Sequence, residues 1–498
     1  MPKCEVLIRG ARVVDGSGAA ERESSVAVSQ GLIVSVDADT TWVGEQMVEA
    51  EGLVLAPGFI DTHTHDDTSV VKTPAMLPKL TQGVTTVVVG HCGISASPVL
   101  EANRLPPPME LLGTAAMLRY RSFAEYGRAV EAAGPAVHVA ALVGHTTLRA
   151  NHMDRLDRAA TRGEVRAMEA QLRESLADGA FGLSTGLAYP SAQAATTDEV
   201  VGVAAPLGEV GGLYATHLRS ETTAILDAMD EAFAIGAGAG RDAGESGRAG
   251  VPVLVSHLKC AGPDNWGRTP EVLALLDRAR ERQPVHCDCY PYTASSSLLD
   301  LGQVDERVEI RITWSGPHPE MAGRTLREIA AVWVVSQAEA ARRLQPAGAI
   351  YHNMSPEDVC RVLTHPGVMV GSDGLPHDPR PHPRLWGTFP RVLGHFCREL
   401  GALDLATAVH KMTGMSAAAI GLRGRGLVRK GYAADLVLFD PATVRDLATW
   451  ENSTEPSQGI RRVWVGGVLA LRDGVATGQR AGRMLRRTEE SRLGSGEF

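Results

Sequence analysis

A histidine pair near the start of the sequence has the clearest chemical potential. His63 and His65 stand two residues apart in the segment Asp61-Thr62-His63-Thr64-His65. Alternate side chains of a strand share one face, so Asp61, His63 and His65 are expected to point the same way. Two imidazoles that converge at a strand end can hold a metal ion at two points. The pair therefore predicts a metal-binding role rather than a packing role.

Three further side chains of metal-ligand type lie near the ends of other apolar runs. Cys92 lies in GHCG, His217 in YATHLRSE and His257 in VSHLKCAG. A lone cysteine is more often a small buried apolar residue than a ligand. Joined to His63 and His65, however, the three complete a Cys/His set, and zinc accepts mixed sulfur and nitrogen ligands. The set predicts a Zn²⁺ site.

An aspartate in the last apolar run has a different expected role. Asp373 lies in VGSDGLPHDPRPHPR and is followed by glycine, a pair that often forms only a turn. Beside a zinc site, a carboxylate can take a proton from a water molecule that the metal has made more acidic. We therefore predict that Asp373 is the catalytic acid/base of a metal-assisted hydrolysis.

Eight short apolar runs, most of them ending in polar residues, predict the fold. Each is bounded by Gly or Pro, and helical patterns such as Gly163–Asp178 and Thr269–Arg282 lie between them. Alternating strands and helices imply parallel strands, which suits a (β/α)8 barrel, with an open doubly wound sheet as the alternative. Polar residues at most strand ends favour the barrel, because barrel enzymes place their chemistry there. The runs are Gly58–His65, Val84–Gly93, Val137–His145, Ala180–Leu187, Leu213–Arg219, Val251–Lys259, Val285–Tyr292 and Val368–Asp373.

The two ends of the chain and one internal stretch depart from the barrel pattern. Short alternating segments in residues 1–56 and 421–480 predict one small β-sandwich built from both termini, beside a catalytic barrel of residues 57–420. Residues from about 299 to 352 predict an insertion between strands 7 and 8 that covers the barrel mouth. Residues 481–498 resemble a flexible tail ending in a cloning remainder, GSGEF, and the Gly/Ala run Gly236–Gly250 resembles a loop.

Composition excludes several classes of protein. The 498 residues carry a formal net charge of −9, which argues against nucleic-acid binding and against a polybasic membrane anchor. No signal-peptide pattern opens the sequence, and no apolar run approaches the roughly 18 residues that span a bilayer. Seven scattered cysteines indicate a reducing cytoplasm rather than a disulfide framework. The expected partner is a small-molecule substrate, and the oligomeric state is left open, a monomer included.

The motifs together resemble a known family. LAPGFIDTHTHDD, GHCGIS, GLSTGLAYP, YATHLRSE, VSHLKCAG, DCYPY and GSDGLPHDPRPHPR resemble the D-aminoacylase family of the amidohydrolase superfamily, from the N-terminal β segment to about residue 467. This resemblance implies zinc-dependent hydrolysis of N-acyl-D-amino acids, with Asp373 as acid/base. The tight zinc ligands that it implies are Cys92, His217 and His257, and those of a second, weaker metal position are His63, His65 and Asp373.

The same resemblance marks four residues for the carboxylate of the substrate. They are Lys259, Tyr290, Ser296 and Arg384. The chemistry agrees, because arginine can hold a carboxylate in a bidentate manner while lysine and tyrosine add further donors. Taken singly, Tyr290 suits a core position as well, and Arg384 suits a solvated loop.

Three other functions remain as alternatives. A hydantoinase-like cyclic amide hydrolase is disfavoured by Cys92, since most amidohydrolases use a carboxylated lysine instead. An N-acyl-D-glutamate or D-aspartate deacylase is expected to have an extra arginine after DCYPY, whereas residues 293–302 read TASSSLLDLG. Neutral, apolar substrate side chains are therefore predicted, unless Arg149 or Arg219 reaches the pocket. A catalytically inactive scaffold is disfavoured because every expected ligand is retained.

Overall fold

The computed structural model describes residues 1–38, 41–101, 105–240 and 250–487. Eight parallel strands within it form a barrel, and each lies in one of the eight predicted runs. The third strand is divided in two by a single residue. The barrel strands are Phe59–Asp61, Val84–Val89, His138–Ala141 with Val143–Gly144, Gly182–Gly186, Leu213–His217, Val253–Val255, Val285–Cys289 and Val368–Val370.

The sheet closes on itself between its first and eighth strands. The other neighbours pair in parallel in chain order. Just beyond the strand ends, Thr64 and Gly374 form a parallel bridge, and the amide of Asp373 donates to the carbonyl of His63 at 2.7 Å. An open doubly wound sheet would leave its two edge strands unpaired. The closure therefore supports the barrel over the alternative.

Amphipathic helices surround the barrel, and Arg162–Ala177 shows how the sequence forms them. The hydroxyl of Thr161 and the carboxylate of Glu164 cap its first turn reciprocally. Its apolar side chains at Met168, Leu172 and Leu176 are four residues apart and bury one face. The helices of the barrel region are Ser69–Lys72, Leu77–Leu80, Phe123–Ala133, His145–His152, Arg162–Ala177, Thr197–Ala204, Pro206–Val210, Ile225–Ala239, Thr269–Arg280, Pro356–Thr364, Arg384–Arg391 continued by the π-helix Val392–Glu399, Leu405–Met412 and Gly414–Ile420, with 3₁₀ turns at Met109–Leu112 and Pro263–Asn265.

The Gly/Ala run is in part helical rather than a loop. The helix Ile225–Ala239 continues through Gly236 to Ala239, so the predicted loop is wrong for these residues. A Cβ at Gly236 would lie 2.3 Å from Cγ2 of Val253, so the glycine lets the helix pack closely on the sixth strand. The rest of the predicted loop, residues 241–249, lies outside the described residues.

Strands from the two ends of the chain form one further sheet. Val54–Pro57 from the N-terminal part pairs antiparallel with Leu436–Phe439 from the C-terminal part. Apolar side chains such as Ile8, Val26 and Trp464 form a core separate from that of the barrel. The strands of this sheet are Lys3–Val13, Arg22–Ser29, Leu32–Asp37, Val43–Glu49, Val54–Pro57, Leu436–Phe439, Ile460–Val465, Val468–Arg472 and Val475–Ala476.

The stretch between the seventh and eighth barrel strands folds into a small unit of its own. Its three-stranded antiparallel sheet has Ala347–Tyr351 in the centre. Leu326 and Leu344 lie in its own apolar cluster. Its strands are Ser295–Leu298, Ile310–Ser315 and Ala347–Tyr351, its helices are Leu326–Trp333 and Gln337–Leu344, and its 3₁₀ turns are Leu301–Gln303 and Pro319–Met321.

Part of the predicted C-terminal tail packs on the barrel. Met484 and Leu485 are fully buried, and the amide of Leu485 donates to the carbonyl of Val139 at 2.7 Å. The expectation of a flexible tail is therefore wrong for residues 481–487, because the abundant arginines conceal two buried apolar side chains. Residues 488–498, which include the supposed cloning remainder, lie outside the described residues. Across the described ranges, no helix combines the length and apolar character needed to cross a membrane.

Candidate metal centre and substrate cavity

Four buried side chains from four barrel strand ends converge on one point. The Sγ of Cys92 lies 3.3 Å from Nε2 of His63 and 3.4 Å from Nε2 of His257. The Oδ1 of Asp373 lies 3.5 Å from Nε2 of His63. The ligand atoms of all four residues lie within 4.8 Å of one another. One thiol, two imidazoles and a carboxylate at such spacing form a donor set of the kind that binds zinc.

The two remaining predicted ligands lie on either side of this cluster. The Nε2 of His65 is 3.2 Å from Oδ1 of Asp373. The ring of His217 lies 4.5 Å from that of His257, and the two share a second group with Glu221. The structure thus brings all six predicted metal residues together. The arrangement differs from the implied one in that His63, rather than His217, shares the group of ligand atoms with Cys92 and His257.

The backbone of this cluster is strained. Seven non-glycine residues of the described chain have positive φ, and three of them are Cys92 at 54°, His257 at 37° and Asp373 at 50°. Such conformations cost about 1–3 kcal/mol each and persist where the surrounding structure imposes them, often at functional sites. Each of the three lies where a barrel strand gives way to its loop, so the turn aims the side chain inward. The strain is an independent sign that this is the functional site.

The histidine pair lies in the loop after the first strand, which ends at Asp61. The amide of His65 donates to the carbonyl of Gly374 at 3.1 Å as part of the parallel bridge between Thr64 and Gly374. Asp61 does not join the metal cluster, contrary to the expectation of a shared face. Its Oδ2 accepts hydrogen bonds from Lys79 at 2.7 Å and from the hydroxyl of Ser372 at 2.6 Å. This fully buried pair ties the first strand to the eighth beneath the cluster.

Two acidic residues that the sequence reasoning did not select support the histidines. Oε1 of Glu221 lies 3.0 Å from Nδ1 of His257 and accepts a hydrogen bond from Lys259 at 2.5 Å. Oδ1 of Asp288 accepts the amide of His257 at 2.7 Å and lies 3.5 Å from Nδ1 of His63. Burial raises the pKa of Asp288 to about 7. Both acids follow or end barrel strands, the same positional signal that identified Asp373.

His91 is a further buried histidine beside the cluster. Its ring stacks on that of His63 with centroids 4.2 Å apart and planes 21° apart. Neither ring nitrogen has a hydrogen-bond partner within the described ranges. Burial, together with the neighbouring His63, lowers the pKa of His91 well below its usual value, which keeps the ring neutral. His91 is not among the residues predicted from the sequence.

The four residues marked for the substrate carboxylate lie beside the metal cluster. The guanidinium carbon of Arg384 lies 4.6 Å from the ring centroid of Tyr290, and the ammonium of Lys259 lies 6.0 Å from it. Nη2 of Arg384 lies 2.9 Å from Oδ2 of Asp373 and donates to the carbonyl of Ser296 at 3.2 Å. We call Lys259, Tyr290, Ser296 and Arg384 the carboxylate cluster.

Several donors of the carboxylate cluster have nothing to bind. The hydroxyls of Tyr290 and Ser296 and the Nε and Nη1 of Arg384 are buried without a hydrogen-bond partner among the described residues. An unpaired buried polar group costs about 1–3 kcal/mol, so native proteins rarely leave several together. Unused donors beside a lysine form a site for an anionic group of a ligand.

A cavity of about 500 Å³ opens beside the metal cluster and is lined by Lys259 and Ser296 of the carboxylate cluster. The metal side contributes His65, His217, His257 and Asp373 to its wall. The rest of the wall carries apolar side chains from the insertion and from three loops of the barrel. Its apolar side chains include Pro107, Pro108, Leu111, Pro190, Leu298, Leu299 and Leu375. The volume and this combination of walls suit a small molecule with one charged end.

The two arginines considered as extra cations do not line this cavity. Arg149 is fully buried and pairs with Glu199. Arg219 pairs with Glu231 at 2.7 Å and donates to backbone carbonyls of residues 193 and 195. Apart from histidines, Lys259 is the single basic side chain among the described cavity-lining residues.

Family comparison agrees with this site. The amidohydrolase family model matches residues 46–470. A D-aminoacylase of Alcaligenes xylosoxydans xylosoxydans is 47% identical over 97% of this chain and 98% of its own length. The chain therefore belongs to the amidohydrolase family, within its D-aminoacylase group, which confirms the predicted family.

Two further relatives carry different names. An N-acyl-D-aspartate deacylase of the same organism is also 47% identical, over 97% of this chain and 95% of its own. The structure of an N-acyl-D-glutamate deacylase from Bordetella bronchiseptica, complexed with zinc and a phosphonate that mimics the tetrahedral intermediate, is 42% identical with a TM-score of 0.91, covering 97% of this chain and 100% of that one. The match confirms the predicted barrel fold. The D-aminoacylase and the N-acyl-D-aspartate deacylase are equally identical to this chain, so overall identity does not indicate which of their substrates it shares.

Proposed function

We propose that this protein is a zinc-dependent deacylase that hydrolyses the amide bond of N-acyl-D-amino acids to a D-amino acid and a carboxylate. The observation that carries the proposal is the contact between the two clusters, where Arg384 joins Asp373 of the metal cluster to the unused donors of the carboxylate cluster. An N-acyl amino acid has its amide and its carboxylate separated by one carbon, so it can engage both at once. The D configuration is inferred from the two relatives, a D-aminoacylase and an N-acyl-D-aspartate deacylase.

The donor set fits zinc by its chemistry. Cys92, His217 and His257 are proposed as the tight site, and His63, His65 and Asp373 as a weaker second position. Burial, together with the neighbouring carboxylate of Asp373, raises the pKa of the Cys92 thiol well above its usual value, so the thiolate needs a cation nearby. Zinc bound here would supply Lewis acidity toward the amide carbonyl and make water more acidic.

Asp373 is proposed as the base and then the acid. Burial acts to raise its pKa, but Arg384, His257 and His63 hold the pKa well below its usual value. The carboxylate is therefore ionised and able to accept a proton at neutral pH. The proton comes from the water molecule whose oxygen bonds to the carbonyl carbon of the amide. Asp373 then delivers that proton to the nitrogen of the leaving amine, so that the C–N bond breaks as the carboxylate and the free amino group form. His65 and Arg384 keep the carboxylate in place from two sides.

The carboxylate cluster is proposed to orient the substrate. Arg384 offers Nε and Nη1, and Tyr290 and Ser296 offer their hydroxyls. Lys259 remains charged: burial acts to lower its pKa, but Glu221 beside it raises the pKa above its usual value. Neutral, hydrophobic substrate side chains are proposed because Leu298 and Leu299 follow Ser296 on the cavity wall. A cytoplasmic location is proposed, since all seven cysteines are free thiols.

Turnover of N-acetyl-D-methionine and N-acetyl-L-methionine, with zinc content measured on the same samples, tests the proposal. We expect hydrolysis of the D isomer only, its loss with a chelator and its return with zinc. Cys92→Ala should fold but lose most zinc and activity, whereas Cys397→Ala, a thiol outside the cluster, should retain both. Full zinc and activity in Cys92→Ala would overturn the metal assignment, and preference for the L isomer would overturn the substrate assignment.

A further inference from the structure

An apolar groove of about 580 Å³ adjoins the substrate cavity. It runs between the insertion, the segment after residue 105 and the loop after the eighth barrel strand. Its apolar walls include Leu105, Met117, Trp314 and Pro379. Glu110, Leu111 and Leu375 line both the groove and the cavity, so the two spaces meet at these three side chains.

The orientation of the substrate decides which of its groups reaches this groove. With its carboxylate on the carboxylate cluster, the α-carbon lies near Ser296, and the amino-acid side chain faces Leu298, two residues further along the same strand. The acyl group extends from the other side of the amide, past Asp373. Leu375 lies two residues after Asp373 and borders the groove. The acyl group is thus the part of the substrate that points to the groove.

We propose that the groove binds the alkyl chain of medium- and long-chain N-acyl groups, so that fatty N-acyl-D-amino acids are preferred to N-acetyl ones. The inference rests on the proposed deacylase function and specifies its acyl substrate. An acetyl group ends inside the cavity and needs no groove. A longer chain would cover apolar wall that otherwise faces water, which is the main source of binding energy for such a chain.

The polar side chains of the groove do not favour an anionic ligand. Nε2 of His377 lies 2.6 Å from the hydroxyl of Thr68, and Asp378 accepts the amide of Arg380 at 2.9 Å. Burial raises the pKa of Glu110 above its usual value. The described residues that line the groove include no lysine or arginine. An anionic peptide or a second carboxylate therefore has no partner there, whereas an alkyl chain needs none.

The test is a series of N-acyl-D-methionines from acetyl to decanoyl, with kcat/KM measured for each. We expect kcat/KM to rise about two- to fourfold per methylene over the chain lengths that the groove covers. Ala115→Trp places a large ring in the groove from an exposed position and should flatten this rise while leaving N-acetyl turnover unchanged. Ala116→Trp, the exposed neighbour that does not line the groove, is the matched control and should keep the rise.

The outcomes separate this proposal from the function on which it rests. N-acetyl turnover with a flat or falling chain-length profile overturns the groove and leaves the deacylase function standing. Equal profiles in Ala115→Trp and Ala116→Trp also overturn it. If no N-acyl-D-methionine is hydrolysed, the proposed function fails, and calorimetric binding of N-decanoyl-D-methionine still decides the groove. If N-decanoyl-D-methionine binds no more tightly than N-acetyl-D-methionine, the proposed groove is rejected. If it binds more tightly and Ala115→Trp abolishes the difference, the proposed groove is supported.

Discussion

Two arginines of this molecule are equally buried and differently used. Arg149 and Arg384 are both fully inaccessible to solvent. Arg149 pairs with Glu199 through Nη1, and its Nε and Nη2 donate to the carbonyls of residues 191, 156 and 158 at 2.7–3.2 Å. Arg384 uses only Nη2, toward Asp373 and the carbonyl of Ser296. Its Nε and Nη1 have no partner within the described part of the chain.

The difference indicates what each arginine does. A buried guanidinium whose donors are all occupied by its own fold stabilises that fold and has nothing left for a ligand. A buried guanidinium with two free donors costs stability until a ligand supplies acceptors. Such incomplete pairing beside the aromatic ring of Tyr290 and the carboxylate of Asp373 marks a binding arginine. Burial alone does not separate the two roles, but the count of satisfied donors does.

Arg149→Met should give the largest change, and it should be a change in stability. Removing the guanidinium leaves the buried carboxylate of Glu199 without its charged partner, which costs about 3–5 kcal/mol. Urea unfolding followed by circular dichroism measures this loss. The kcat/KM of the folded fraction should match that of the unmodified enzyme. A large fall in kcat/KM with unchanged stability would place Arg149 in the binding site and remove the distinction between the two arginines.

Arg384→Met should give the opposite result. We expect kcat/KM for N-acetyl-D-methionine to fall about 10²–10³-fold, since a buried charged contact with the substrate is lost. The fall should be smaller for the carboxamide analogue, which has no carboxylate to hold. The free energy of unfolding should fall by less than in Arg149→Met, because the substitution removes unsatisfied donors together with the ion pair to Asp373. Equal losses on the acid and the carboxamide would assign Arg384 to holding Asp373 alone.

Two buried tyrosines, Tyr290 and Tyr126, allow the same comparison between a free and a paired donor. Tyr290→Phe removes a hydroxyl without a partner, so we expect kcat/KM to fall about 5–30-fold with stability unchanged. Tyr126→Phe removes a buried hydroxyl that donates to the carbonyl of Asp67 at 2.8 Å. Its expected loss is about 1 kcal/mol of stability, with normal kinetics. Steady-state kinetics and urea unfolding of both variants measure these effects. A fall in kcat/KM in Tyr126→Phe alone would contradict the assignment of Tyr290 to substrate binding and of Tyr126 to stability.

Much of the barrel could be predicted from the sequence because its signals are local. Each apolar run contains a strand, and the polar residues at the run ends lie at the barrel mouth. The strands proved shorter than the runs, since strand pairing ends where the side chains of Cys92, His257 and Asp373 must turn inward at positive φ. Backbone geometry of that kind depends on contacts between distant segments, and no local pattern encodes it.

The supporting residues of the site were harder to predict for the same reason. Glu221 and Asp288 contact His257 only because two neighbouring strands bring them there. The hydrogen bond from the hydroxyl of Ser372 to Asp61 joins residues 311 positions apart through the closure of the barrel. Whether the guanidinium of Arg149 or Arg384 has free donors was equally hard to predict from the sequence. Whether Arg149 reaches the cavity depends on Glu199, 50 residues away.

A preference for the side chain of the substrate follows from the same comparison. An acidic side chain buried without a cation is unfavourable. The arginines that could have served it, Arg149 and Arg219, are held by Glu199 and Glu231. We therefore expect N-acetyl-D-methionine to exceed N-acetyl-D-aspartate in kcat/KM by about tenfold or more, in line with differences of 1–3 kcal/mol for such pockets.

Leu298→Arg tests this preference directly, because Leu298 lines the cavity two residues beyond Ser296. The new cation should narrow the gap between the two substrates about tenfold by giving the aspartate side chain a partner. Leu301→Arg is the control, since Leu301 is 41% exposed and does not line the cavity. A higher kcat/KM for N-acetyl-D-aspartate than for N-acetyl-D-methionine in the unmodified enzyme would overturn the preference. It would also show that a cation reaches the cavity from a residue other than the two arginines that the fold already occupies.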